Sequence, residues 1–505
     1  MKYSTRGFIF VMALLLTVIL SSCNSESQEA GSSAPMNLEI IRSGNNLPMA
    51  EDDVIKQALD KALGVDISFS VVSSEYENQL NVRMAAGDYP DLFGVTRTSL
   101  VEFANKGLLL DLTDYMDQLQ PVEQFIGEEN VKKAMVDGKI YGITVPPNIP
   151  YHSYWIRKDW LDNLGLQAPT TLDEFIEVAD AFTNQDPDGN GKNDTFAITG
   201  AVMNAFQPIF GAFGVGMPGS FYIKDDKLIN AYHDPAMKDA LSYINTLIDA
   251  GFVDPELVTN TGLQYQEKAF QGKFGIVYID WPNMSKEEFV KQYKTVNPDA
   301  EWIQMAGPEG PGGQFDGTLD IGTTSGLFAI PKALEEEPEK LNEIFELLNY
   351  VAGEEGSNLV QYGIEGEHFN IEDGQVVPTE LLNEEGSYFW LYQFAGRPEK
   401  EYLKTKFAAQ TEYIEFADKR PRIEALDGFV DIPQGYNPAD AERFAEEEII
   451  KFVYGKRPLD EYEDFIETLE TTMNYRLYIE AAHEQLAELG FIDERGNHDR
   501  RAMDG

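Results

Sequence analysis

The chain has 505 residues, 43% of them apolar, and 39 Lys and Arg stand against 86 Asp and Glu for a formal net charge of −47. That length exceeds one ordinary hydrophobic core, so two or more lobes are expected, and a surface this acidic repels nucleic acid and anionic lipid. Cys23 is the one cysteine, which excludes an intrachain disulfide and a Cys-based zinc site.

Lys2 and Arg6 precede an apolar run from Phe8 to Leu20, too short to span a bilayer as a mature helix. Leu20-Ser21-Ser22-Cys23 follows. The stretch resembles a bacterial lipoprotein signal. The resemblance implies removal of 1–22 and lipidation of Cys23 by a diacylglycerol thioether, with an N-acyl chain such as palmitate. Two or more acyl chains anchor a protein stably. The alternative is an ordinary secretory signal in which Cys23 is incidental. Residues 23–36, rich in Ser, Glu, Gly and Ala, read as a flexible tether.

Beyond the tether, strand and helix patterns alternate. Leu38 to Ile41 and Val65 to Val72 read as strands. Asp52 to Leu63 reads as a helix with Val54, Ile55, Ala58, Leu59, Ala62 and Leu63 on one face. Glu75 to Ala86 is helical, Asp91 to Val95 is a strand, and a helix begins at Val101. Strands separated by helices of this length predict an α/β lobe with a largely parallel sheet. Such sheets bind ligands on the loops at the carboxyl ends of their strands, and Gly87-Asp88-Tyr89-Pro90-Asp91 is a loop of that kind.

Three ordered motifs add a family resemblance. They are Ala86-Gly87-Asp88-Tyr89-Pro90-Asp91-Leu92, then Asp137-Gly138-Lys139-Ile140-Tyr141-Gly142-Ile143, then Ile156 to Asp162 with Leu164-Gly165-Leu166 and Pro169 to Phe175. Together they resemble the family 1 extracellular solute-binding lipoproteins of carbohydrate ABC transporters, a group with alginate-oligosaccharide-binding members. The resemblance implies a periplasmic-binding-protein-like (type II) α/β fold of two discontinuous lobes joined by a hinge, with the ligand cleft between them. The expected division is 37–147 plus 325–385 for lobe 1 and 148–324 plus 386–505 for lobe 2.

Thr171-x-x-Glu174 is a capping box, and Leu172, Phe175, Ile176, Ala179 and Phe182 make one apolar helical face. Directly after that helix comes Asp186-Pro187-Asp188-Gly189-Asn190-Gly191-Lys192-Asn193-Asp194. Its side-chain oxygens recur at alternate residues. Ca²⁺ takes about six to eight oxygen ligands, and a glycine permits the sharp turn around the ion. Asp186, Asp188, Asn190 and Asp194 are therefore candidate side-chain ligands of a structural Ca²⁺, with the Lys192 carbonyl as a further one. The match to an EF-hand loop is half complete, because the twelfth position is Ala197 rather than a bidentate glutamate. A polar turn without metal is the alternative. The family resemblance favours the ion, since the alginate-oligosaccharide-binding members hold calcium in this loop.

Further on, Asp234-Pro235 predicts a helix start and Gly251 its end. Gly272 to Tyr278 resembles the family strand that leads back to the cleft, ending at Asp280-Trp281. Leu327 to Ile330 reads as a strand, Glu337 to Tyr350 as a helix, and Asp440 to Leu489 as mainly helical.

Signatures of catalysis are weak. Gly214-Val215-Gly216-Met217-Pro218-Gly219 matches G-x-G-x-x-G, but Pro218 interrupts it and no long helix opens behind it. His152, His233, His368, His483 and His498 are too scattered for a zinc motif, and no G-x-S-x-G elbow or Walker loop is present. Sugar rings lie with their apolar faces on aromatic side chains while their hydroxyls pair with polar groups. Tyr89, Trp155, Trp281, Trp302 and Trp390 are thus candidate platforms, with Trp281 first because Asp280-Trp281-Pro282 ends a strand at an expected cleft loop. Asp88 and Arg157 are candidate polar contacts, and Trp160 reads as core.

The expected function is a lipid-anchored, monomeric, extracellular binding protein that captures a carbohydrate and delivers it to an ABC transporter permease without bond chemistry. Two other readings stay open: a surface-anchored lyase or glycosidase, which needs only two or three placed carboxylates, and a peptide-binding lipoprotein.

Overall fold

A computed structural model describes residues 34–493 and 495–497. The expected signal, Cys23, most of the tether and His498 lie outside them. Among the described residues no helix is long and apolar enough to cross a membrane.

The first sheet has the strand order Phe328–Ala329, Leu92–Gly94, Met36–Ser43, Val65–Val72. Three of its strands are parallel, with Met36 opposite Val65 and Ile40 opposite Leu92, and the edge strand Phe328–Ala329 is antiparallel. The two-residue period of a strand sends alternate side chains to opposite faces. Leu38 and Ile40 enter one core with Ile55 and Leu59, and Ile41 enters another with Leu80, Met84 and Phe103. Asp53 caps the helix Val54–Leu63 by accepting from the Lys56 amide at 3.0 Å, and Gly64 ends it with a left-handed φ of 73°. The helix expected from Val101 spans Arg97–Asn105, because Thr96 caps it by accepting from the Ser99 amide at 3.2 Å.

The second sheet has the order Trp302–Met305, His152–Arg157, Phe274–Asp280, Phe196–Thr199. His152–Arg157 runs antiparallel to both of its neighbours, and Phe274–Asp280 is parallel to Phe196–Thr199. Tyr154, Ile156 and Ile276 face a core shared with the helix Leu172–Asn184, whose Thr171–Glu174 capping box forms as expected. Trp155, Val277 and Ile279 face the other way. A third sheet, in the order Thr318–Asp320, Ile423–Ala425, Phe221–Lys224, Lys227–Asn230, lies on the second lobe's side. The helices Pro438–Val453 and Tyr462–Thr471 complete that lobe's core through Ile449, Phe452 and Phe465.

The chain passes between the lobes more than once. It leaves the first sheet after Ile143, which bridges Phe328, and joins the second at His152. It returns between Asp320 and Phe328. Tyr392 is tied to the first lobe by its hydroxyl donating to Asp53 at 2.5 Å, and a third passage follows Phe394. These passages pack side by side. A Cβ on Gly396 (φ 78°) would meet the Val145 side chain at 2.4 Å, and one on Gly326 would meet it at 3.0 Å. Only glycine allows that approach, and its backbone freedom suits the passage.

Candidate functional site: a cleft along the lobe crossings

The crossing segments line three adjoining cavities of about 430, 910 and 280 Å³. The first two share Leu319 and Arg422, and the last two share Asn148. Ligand pockets for small organic molecules run from about 300 to 1,000 Å³, so the series exceeds what one monosaccharide needs.

At one end, the strand partners His152 and Asp280 bring their side chains together. The His152 ring lies over Tyr278, with centroids 5.5 Å apart and planes 30° apart. The Tyr278 hydroxyl donates to the Asp316 carbonyl at 3.0 Å, and burial pushes the phenol up to about 12. Asp280 Oδ1 is buried without a hydrogen-bond partner among the described residues. Arg422 Nη2 donates to the His152 carbonyl at 2.6 Å, while Nη1 lies 3.6 Å from Asp316 Oδ2, and neither of those two atoms has a hydrogen-bond partner among the described residues. Burial pushes the Asp316 carboxyl up. Buried polar groups without partners are uncommon and mark places where a ligand or water completes the set.

The middle cavity is walled by Phe315, Leu426, Phe429 and Tyr222, with Lys133 and Asp320 among its polar residues. Close by, burial next to Asp320 pushes the Asp427 carboxyl up to about 7. At the other end Arg42 lies between Phe328 and Trp390, 5.2 and 4.7 Å from the ring centroids. Its Nη1 donates to the carbonyls of Trp390 and Leu391, and burial lowers its pKa to about 10. Trp390 is 37% exposed and lines the cavity beside Arg397 and Glu399.

The residues expected from sequence divide sharply. Trp390 is at the cleft. Trp281 and Trp155 are corrected to core residues, at 0% and 1% exposure. Trp281 is stacked on Tyr151 and edge-on to Phe407, and Trp155 packs on Tyr413. The strand period explains both. Tyr278 and Asp280 point to the cleft, so Trp281, one residue on, points away; His152 points to the cleft, so Trp155 does not. Trp302 is also buried. Arg157 is corrected to a structural residue: it forms a two-pronged pair with Asp159 at 2.7 and 2.5 Å and sits against Trp160 and Trp302. Asp88 is exposed and accepts from Arg83 at 3.0 Å, and Tyr89 packs at the edge of the first lobe's core. Neither lines the three cavities. Arg422, Lys133, Arg42 and Asn148 were not among the expected site residues; no local motif marks them, and only Tyr278 and Asp280 carried a signal, the alternation of their strand.

The Asp-rich loop is a tight turn with positive φ at Asp186, Gly189 and Gly191. Asp186 accepts from the Asn190 and Gly191 amides at 3.0 and 2.9 Å. The Asn190 side-chain amide donates to Asp188 at 2.8 Å and to Asp194 at 3.0 Å. Burial, with Asp186 and Asp194 alongside, pushes the Asp188 carboxyl up. Among the described residues no three His, Cys, Asp or Glu side chains form a metal-ligating group; here the carboxylates turn onto Asn190 instead. Ala197 is fully buried in its strand, so the twelfth position contributes no ligand.

Two α/β lobes joined by several crossings, with the main cavities along those crossings, define the class of two-lobed binding proteins that take a ligand between their lobes. The family comparison agrees: the model for bacterial extracellular solute-binding proteins matches residues 48–358, and the chain belongs to that family. It is 29% identical over 382 residues to the polygalacturonan/rhamnogalacturonan-binding protein YtcQ of Bacillus subtilis (strain 168), covering 72% of this chain and 74% of that one. It is 28% identical over 321 residues to the fructooligosaccharide ABC transporter substrate-binding protein FusA of Streptococcus pneumoniae, covering 56% of this chain and 58% of that one. Its fold is similar to that of an HMO-binding, ABC-transporter-associated solute-binding protein from Bifidobacterium longum infantis, with a TM-score of 0.69 at 17% identity over 90% of this chain and 99% of that one.

Proposed function

We propose that this extracellular solute-binding protein captures an oligosaccharide in the cleft and delivers it to the permease of an ABC transporter. The observation that carries this reading is the run of adjoining cavities, with Trp390 at one end and the Tyr278, Asp280 and Arg422 group at the other. Aromatic faces take sugar C–H surfaces, and the unpartnered Asp280 and Arg422 atoms suit hydroxyls. The names of YtcQ and FusA support a carbohydrate. The packed crossings would act as the hinge by which the lobes close on the ligand. No bond is made or broken in this function. Incubating the purified protein with oligosaccharides tests that point: the expected result is a thermal shift with no new reducing ends, and released reducing ends would make it a carbohydrate-active enzyme. A panel that includes peptides tests the ligand class, since a shift with peptides alone would replace the carbohydrate.

The anchor belongs to the same reading. Lipid on Cys23 would hold the protein on the outer face of the bacterial membrane. Cys23→Ala should move it from the membrane fraction to the medium or leave an unprocessed precursor; a mutant that stays membrane-bound at mature size would refute the anchor.

The Asp-rich loop would hold one structural Ca²⁺ through Asp186, Asp188, Asn190, Asp194 and the Lys192 carbonyl, with water for the missing twelfth ligand. The reading rests on the chemistry of the donor set: three carboxylates and an amide fall within one turn of chain, and a cation would relieve the repulsion among carboxylates that turn onto Asn190 in the structure. An ion at about a hundred times its dissociation constant adds roughly 2.7 kcal/mol of stability. Chelation should therefore lower the melting temperature, and Asp186→Ala with Asp194→Ala should abolish the calcium-dependent part. Protein that contains no calcium by elemental analysis, with a melting curve indifferent to chelator, would leave the loop a polar turn.

A further inference from the structure

Acids outnumber bases in this chain by 86 to 39, so carboxylates are in ample supply for any buried cation. Two cations of the 910 Å³ cavity nevertheless keep hydrogen-bonding capacity that is unused among the described residues. Lys133 is 5% exposed, and its one hydrogen bond among the described residues goes to the Thr323 carbonyl at 3.2 Å. An ammonium group has three donors, so two of the three are left over. The Arg422 side chain is also 5% exposed, and its Nη1 has no hydrogen-bond partner among the described residues, only a loose ion pair with Asp316 Oδ2 at 3.6 Å. That gap is too long for a hydrogen bond.

The acids that line the same cavity do not supply the missing acceptors. Glu129 pairs with Lys132 at 2.8 Å, and Asp225 and Glu424 are on the exposed rim. Asp320 is occupied, accepting from the Gly322 and Gly428 amides at 2.9 and 3.2 Å and from the Thr323 hydroxyl at 2.7 Å. The cavity's remaining cation, Lys224, is held by Asp234 at 2.5 Å. The acids that line the cavity are thus exposed or engaged, and Asp316 Oδ2, buried and without a hydrogen-bond partner among the described residues, lies beside Arg422. Burial holds the Lys133 ammonium below its ordinary pKa, with Asp320 the only opposing influence. A buried cation without a full set of acceptors is costly to keep, and a ligand that supplies the acceptors would offset that cost.

We propose that the oligosaccharide bound in this cleft is acidic, with a carboxylate group seated on Lys133 Nζ and an oxygen of the adjoining sugar on Arg422 Nη1. The inference rests on the carbohydrate reading above. The relatives do not decide it, because their names include both a polyuronide and a neutral fructan.

Salt dependence is a poor test here. Salt screens the long-range repulsion between an acidic protein and an acidic ligand, and it also weakens the local pairing. A matched pair of probes is sharper. Calorimetric titration would compare trigalacturonate and trimannuronate with the same trisaccharides after reduction of their carboxyl groups to alcohols. Native protein should bind at least one uronate at least about tenfold more tightly than its reduced form. Lys133→Gln should weaken the uronate about tenfold or more and the reduced form about threefold or less, and Lys133→Arg should restore the preference. Melting curves of both variants identify a folding defect, and if Lys133→Gln does not fold, the native preference decides alone. Equal or tighter binding of the reduced sugars by native protein would overturn the acidic ligand and leave the carbohydrate reading standing. Loss of both probes in equal measure in Lys133→Gln would overturn the role of Lys133. Acetate or sulfate binding as tightly as the trisaccharide would make the place a simple anion site and overturn the proposal. Binding of neither probe, with peptides bound instead, would refute the carbohydrate reading itself.

Discussion

Two arginines in this protein sit on tryptophan, and they do different things. Arg157 lies against Trp160 and Trp302, its centroid distances 4.7 and 5.7 Å, and both prongs of its guanidinium are taken by Asp159. Arg42 lies between Phe328 and Trp390 at nearly the same distances, but its hydrogen bonds go to main-chain carbonyls and Trp390 keeps an exposed face on a cavity. The pairing of cation and ring is the same in both. Access separates them: the first cluster is closed with its guanidinium paired, and the second presents a ring to the cleft. Residue type alone is thus a poor guide to a sugar site, and unfilled hydrogen-bonding capacity beside an open aromatic face is a better one.

Mutations in either cluster, and one at the buried Trp281, sharpen this contrast between closed and open aromatic residues. Arg157→Ala should cost the most, about 3–5 kcal/mol, because it leaves Asp159 without its partner in a largely buried setting; denaturant melts measure it. Trp281→Ala, which empties a packed interior, should cost a similar amount of stability, about 3–5 kcal/mol. The folded fraction of that variant should still bind sugar, and a clean loss of affinity at unchanged stability would return Trp281 to the binding site. Arg42→Ala should cost less, about 1–3 kcal/mol, for the carbonyls of Trp390 and Leu391 that lose their donor. Trp390→Ala should change stability least, by about 0.5 kcal/mol or less, while weakening oligosaccharide binding by about 1–3 kcal/mol, as loss of an aromatic anchor does. If Trp390→Ala proves the more destabilising of the two tryptophan changes, the contrast fails.

How much of this was legible in advance follows from how far apart the interacting residues are. The capping box at Thr171 and the strand Val65–Val72 depend on neighbours a few positions away, and both formed where the pattern placed them. The Asp-rich loop is contiguous, so its gathering of oxygens could be read directly. The cleft is different. Asn148, Leu319, Arg422 and Trp390 meet only because the chain crosses between lobes several times, and no spacing along the sequence encodes that. Trp281 was misread for a narrower reason. A strand end was located correctly, but the residue there that lines the cleft is Asp280, one position before Trp281, which already leads into the helix Pro282–Ser285.

Tryptophan fluorescence offers the most direct test of capture in the cleft. Of the five tryptophans, Trp155, Trp160, Trp281 and Trp302 are at most 5% exposed, and Trp390 alone is open. Titrating native protein and Trp390→Phe with an oligosaccharide panel should give a saturable emission change in the native protein with a dissociation constant near micromolar, about −8 kcal/mol. Most of that change should vanish in Trp390→Phe while calorimetry still detects binding. An undiminished change in Trp390→Phe, or binding by no oligosaccharide at all, would contradict the account.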